Sequence, residues 1–126
     1  MWFFKKKIDD QDWEGLNSEV VRLTNDRKMD EALTAGVKLL RLCKRNFGGK
    51  HKHTVTALNN LGTIHTLRKD FTEAESYLLA ALQISEKVSG EMSIEVALVN
   101  MNLANLYSFK AKMITEAIGR LRENQQ

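Results

Sequence analysis

The chain has no proline, one cysteine and seven glycines that are scattered rather than clustered. Without a Pro-, Gly- or Ser-rich stretch no flexible linker is visible, so the architecture expected is helices joined by short turns. A lone cysteine excludes an internal disulfide and fits a reducing compartment, the cytoplasm. Cys43 falls between Leu42 and Lys44 in a helical pattern with no activating base nearby, so it reads as a small, partly buried residue and not as a nucleophile. No long apolar run occurs, which excludes a transmembrane helix. The opening MWFFKKKIDD places its apolar residues before the basic ones, the reverse of a secretory signal. So short a cluster gives at most transient contact with a membrane surface, and residues 1–9 are expected to be an N-terminal tail that packs on the first helix or frays. Also missing are a Gly-rich phosphate loop, paired carboxylates in a recognisable setting and a nucleophile with its base. No catalytic residue, cofactor or metal site is therefore assigned, and the expectation is that the chain is not an enzyme.

What is present is a chain of 126 residues, 43% apolar and 28% charged, which is enough for one folded domain or a few units of a repeat array. Glu-Ala recurs at Glu31-Ala32, Glu73-Ala74 and Glu116-Ala117, at spacings of 42 and 43 residues. Upstream of the last two, LNNLGTIH from Leu58 aligns with NMNLANLY from Asn100, placing Leu61 on Leu103, Gly62 on Ala104 and His65 on Tyr107. Each unit reads as two helices. In the middle unit Leu58, Leu61, Gly62 and His65 mark one face of a first helix, and Phe71, Ala74, Leu78, Ala81, Leu82 and Ser85 form the inner stripe of a second. The spacing predicts six helices, at about 10–25, 29–46, 54–68, 71–88, 93–109 and 113–123. Leu61, Ala74, Leu78, Leu82, Leu103 and Leu106 are the predicted core.

Small residues at Gly62 and Ala74, large ones at Leu58, Phe71 and Leu78, and the pair Ala81-Leu82 resemble the tetratricopeptide repeat. FGGKHKHTVTALNNLG and SGEMSIEVALVNMNLA are similar to the kinesin light chain type of that repeat. The resemblance covers roughly residues 13–123 and is strongest in the second unit; in the first, Glu19 and Val20 stand at the usual Leu-Gly positions. Both linkers lack the prolines of that type, and the third unit carries one extra residue near Met113-Ile114. The fold implied is all-α, a right-handed superhelical stack of about three helical hairpins. Residues 10–126 would form the repeat domain, with repeats at about 13–53, 54–92 and 93–126. No capping helix follows GRLRENQQ, so either Arg120, Arg122 and Glu123 make the last helix its own cap, or the chain is a fragment or an associating subunit.

In such a stack the first helix of each hairpin lines the concave side. Residues opposite its core stripe then face the groove: Thr56, Asn59, Asn60 and Thr63 in the second unit, and Leu98, Met101, Asn102, Asn105 and Phe109 in the third. An amide both donates and accepts, so a row of asparagines suits the backbone of an extended peptide. The competing reading is that Asn60 and Asn102, which occupy matching positions, hold neighbouring repeats in register. Lys38, Arg41 and Arg45 share one face of the second helix. With no interleaved aromatics and a net charge of +3, that face reads as solvated and not as a nucleic-acid surface. His51 and His53 lack a third and fourth donor for a metal, and by the resemblance His51 is a structural linker residue. The function expected is a non-enzymatic interaction module or scaffold that binds a peptide segment of a partner protein along the groove. The alternative is a self-assembling repeat subunit, a homo-oligomer formed through the terminal repeat.

Overall fold

The computed structural model describes the backbone of residues 2–126 and the side chains of residues 12–126, so the behaviour expected of a tail over residues 1–9 lies outside the described side chains. The described residues form five helices: α1 (Trp2–Asn25), α2 (Met29–Phe47), α3 (Lys52–Leu67), α4 (Phe71–Ser89) and α5 (Ile94–Asn124). Buried positions follow helical spacing. α2 buries Ala32, Gly36, Leu39 and Cys43, and α4 buries Ala74, Leu78, Ala81 and Ser85, each set in steps of three and four that keep one stripe inward.

The central helix α3 buries nine of its 16 residues because it is covered from several sides. Val55 and Leu58 join Ala74, Leu78, Ala81, Val99, Leu103 and Leu106 in one core cluster, while Ala57 and Ile64 join Val20, Leu23, Ala32, Leu39 and Cys43 in another. Each helix packs on the next, α1 and α5 also pack on α3, and the backbones of α2 and α4 do not approach one another closely. The odd-numbered helices therefore lie side by side in one layer while the even-numbered ones splay apart behind it. That is the all-α hairpin stack expected from the repeat pattern.

The connections repeat with the same 42-residue period as the helices. Arg27 and Lys69 both take left-handed backbone, at φ 61° and 69°, and close their helices by the same device: the N–H of the following residue bonds five residues back, Lys28 to the Leu23 carbonyl at 3.0 Å and Asp70 to that of His65 at 2.9 Å. At the longer linkers Gly48 and Gly90 both have φ 89° with extended ψ, a region open essentially to glycine. His51 and Ser93 then cap α3 and α5 with side-chain acceptors for the N–H groups of His53 (3.0 Å) and Val96 (3.2 Å). The buried Thr54 hydroxyl adds a 2.6 Å bond to the Gly48 carbonyl. Because Lys69 carries a Cβ in a left-handed site, Lys69→Gly is expected to stabilise the chain by about 0.5–1 kcal/mol, read as a higher urea midpoint at unchanged slope.

Three sequence expectations are corrected. The helices expected at 93–109 and 113–123 are one continuous 31-residue helix, α5. Counted back from its Glu-Ala, the third unit places Lys112 where Lys69 turns, Met113 where Asp70 starts α4, and Ala111 where Arg68 binds Asp70 and Asp30. Alanine, lysine and methionine all favour helix, and nothing there ties a turn together. Leu82 is half-buried, because Leu78, Ala81 and Ser85 already occupy the inward stripe and Leu82 sits at its edge; Leu61, Ala74, Leu78, Leu103 and Leu106 are buried as expected. The first helix begins at Trp2 and not near residue 10.

Candidate functional site

The layer formed by α1, α3 and α5 carries the predicted asparagines, and the structure pairs them across the repeats. Asn60 Nδ2 donates to Asn17 Oδ1 of α1 at 2.8 Å, and Asn102 Nδ2 donates to Asn59 Oδ1 at 2.8 Å. Both partners are 43 residues apart. One period relates Asn17 to Asn59 and Asn60 to Asn102, so the same amide-to-amide bond recurs at both junctions between neighbouring layer helices. Asn17, Asn59, Asn60 and Asn102 are all half-buried. Register-holding is thus a role the structure assigns to Asn60 and Asn102, and it draws in Asn59, whose carbonyl serves Asn102. Each bond uses one group per amide: the Oδ1 atoms of Asn60 and Asn102 and the Nδ2 atoms of Asn17 and Asn59 have no partner among the described residues.

The other predicted residues divide. Thr56 and Thr63 turn their hydroxyl protons back onto their own helix, to the carbonyls of Lys52 and Asn59, each at 3.2 Å, which leaves their oxygens as acceptors only. Thr63 and Asn60, with Val21, Thr24 and Asn25 of α1, line a depression of about 130 Å³ between α1 and α3. Asn105 stands exposed on α5, on the same side as Leu98, Met101 and Phe109, which are 47%, 55% and 47% exposed. Asn17, Val21, Thr24 and Asn25 were missed by sequence reasoning. Asn17 lies one period before Asn59 and was legible by that count, but Glu19 and Val20 break the pattern around it.

Features outside this layer resolve into structure. Lys38, Arg41 and Arg45 line a cleft of about 570 Å³ between α1 and α2, facing Asp12 and Glu19 of α1, so acids already oppose the basic stripe. The His53 ring stacks on Trp13 with centroids 3.8 Å apart, while His51 caps α3 and stacks on Phe47 at 4.9 Å. The two histidines thereby tie the start of α3 to α1 and α2, and no group of three metal-ligating side chains occurs among the described residues. Cys43 is fully buried and its thiol is pushed up to about 11 by desolvation, with the neighbouring Trp13 indole pulling weakly the other way. At physiological pH it is a thiol, not a thiolate. That indole Nε1 lacks a conventional oxygen or nitrogen acceptor, the Cys43 sulfur being its polar neighbour.

At the α3–α4 turn Arg68 and His65 hydrogen-bond Asp70, at 3.1 and 3.2 Å, and hold its carboxyl below the ordinary range, Arg68 having the larger effect. Arg68 also reaches Asp30 at the start of α2, so this cluster links successive repeats. No helix among the described residues is long and apolar enough to cross a membrane.

The family model described as the tetratricopeptide repeat matches residues 23–87 and again 53–123, so its two placements overlap on the central hairpin and together run from the end of α1 through nearly all of α5. No curated protein matches the sequence significantly. Tetratricopeptide repeats generally mediate protein–protein interaction and scaffolding and are generally not enzymatic. With the period, the hairpin stack and the matched span in agreement, this chain belongs to the tetratricopeptide repeat family.

Proposed function

We propose that the chain is a non-enzymatic scaffold of the kinesin light chain-like type, which holds an extended peptide segment of a partner protein against the layer formed by α1, α3 and α5. The observation that carries this reading is the asparagine row. At both junctions a half-buried amide pair keeps an unused acceptor and an unused donor, the combination that a peptide backbone complements without regard to its side chains. The row runs into Leu98, Met101 and Phe109, exposed apolar residues able to receive side chains of the same peptide. Register and recognition are compatible, because the bonds that fix Asn59 and Asn60 also pre-orient their remaining groups and lower the entropy lost on binding. The kinesin light chain-like assignment rests on the long period and on ALNNLG.

Asn105 separates binding from folding, since it is exposed and its side chain makes no hydrogen bond among the described residues. Peptides selected from a displayed random library on the intact chain should bind Asn105→Ala more weakly by about 0.5–1.5 kcal/mol, measured by fluorescence anisotropy, with an unchanged melting curve. Asn60→Ala should lower the melting temperature as well, because it strands the Asn17 carbonyl. If the selected peptides bind wild type, Asn105→Ala and Met101→Asp equally, the groove is not the binding surface.

A further inference from the structure

The second hairpin shows what the third lacks. In the second, α4 covers α3 so closely that a Cβ on Gly62 would lie 2.4 Å from Leu78 Cγ; Leu58 and His65 on the same side are 5% and 8% exposed. One period on, Asn100, Ala104 and Tyr107 of α5 are all exposed. The residues that would cover them are on the far half of the same helix. Leu121 takes the place of Leu78 and Ile114 that of Phe71, and they are 62% and 51% exposed. Tyr107 reaches Glu75 of α4, but otherwise both sides of one hairpin interface stand exposed on a single continuous helix, although the family match continues to residue 123.

These positions also form a continuous seam. Ala97, Asn100, Ala104, Tyr107, Ala111, Ile114, Ile118 and Leu121 alternate in steps of three and four across α5, the spacing of a coiled-coil stripe, and every one is exposed. The seam lies on the opposite side of α5 from Leu98, Met101 and Phe109, and does not depend on the groove reading.

We propose that two copies of this chain exchange the distal halves of α5, pairing the two long helices antiparallel. The register follows from the second hairpin. Setting Leu121 over Ala104, as Leu78 sits over Gly62, places Ile118 beside Tyr107 and Ile114 beside Ala111. A two-fold axis near Lys112-Met113 maps each contact onto its reciprocal, so the surface is self-complementary, with large residues against small ones at the two alanines. A second copy is favoured over the chain's own distal half because folding back would require a reversal at Ala111–Met113. That stretch has neither the left-handed residue nor the Arg68–Asp70 tie of the second turn. A helix that runs unbroken through Ala111–Met113 keeps the two matching surfaces apart within one chain and presents them together to another.

Sedimentation velocity of the full chain across a concentration series should show a dimer, converted to monomer by Leu121→Glu or Ile118→Glu with the helical circular dichroism unchanged. Chains carrying Ala104→Cys and Leu121→Cys separately, co-refolded and oxidised, should form a disulfide-linked mixed dimer; the native Cys43 is buried and stays out of the exchange. A monomer at every concentration, or a dimer untouched by Leu121→Glu, would overturn the proposal. So would an intrachain disulfide at monomer mass in the Ala104→Cys, Leu121→Cys double variant, which would show that α5 closes on itself.

Discussion

Leu78→Ala is expected to destabilise the chain by about 2–5 kcal/mol, toward the upper end of that range. Leu78 is fully buried at the centre of the cluster that includes Val55, Leu58, Ala74, Val99 and Leu103, and its branch lies directly on the α3 backbone at Gly62. Truncation removes the side chain that lies against Gly62 at that crossing. Gly62 has nothing to extend into the gap, so the void persists unless the helix pair shifts as a body, and the neighbouring leucines are held by α5. Urea unfolding measures the loss. A variant that unfolds at the wild-type midpoint would mean that α4 does not pack on α3 through this residue.

Gly62→Ala carries the complementary expectation. Alanine in place of glycine within a helix ordinarily gains about 1 kcal/mol. Here the new Cβ would meet both Leu78 Cγ and Cδ2 at 2.4 Å, and a γ-carbon cannot swing away as a chain end can. Overpacking of this kind costs about 1–3 kcal/mol, so the net change is expected to be destabilising. The sign should reverse once Leu78 is absent: in the Leu78→Ala background, Gly62→Ala fills part of the void and adds helix propensity. A double-mutant cycle by chemical denaturation reads this directly, and additive effects would show that the two residues do not touch. The same geometry does not recur at Gly36, where a Cβ would first meet Leu61 Cδ2, the mobile end of a side chain, at 2.9 Å.

The hairpin register was legible because its signals are local and repeated. Gly62 and Leu78 stand out by size at helical spacing, and Glu-Ala recurs at nearly one interval, so the helices, their inward stripes and the shared period could be read along the chain. The same locality explains the errors. The stripe Ile114, Ala117, Ile118 and Leu121 is the pattern of a packed second helix whether or not a turn precedes it, so periodicity could not reveal that α5 runs straight through Ala111–Met113. Asn17 escaped notice for a related reason: its neighbours Glu19 and Val20 depart from the motif that identifies its counterparts.

The sequence by itself determined the helical class, the repeat length, the family and the placement of Asn59, Asn60 and Asn102 on one row, since each depends on spacings within a few turns of helix or on direct self-comparison. Only the tertiary structure decided which amides bond to which. Asn60 finds Asn17 and Asn102 finds Asn59 through the axial offset between stacked helices, a quantity set by how whole helices pack and not by any residue's own neighbours. It also decided the state of the third unit. A turn forms where local strain is repaid by contacts on both sides, and at residues 111–113 straight helix already satisfies every backbone group without them.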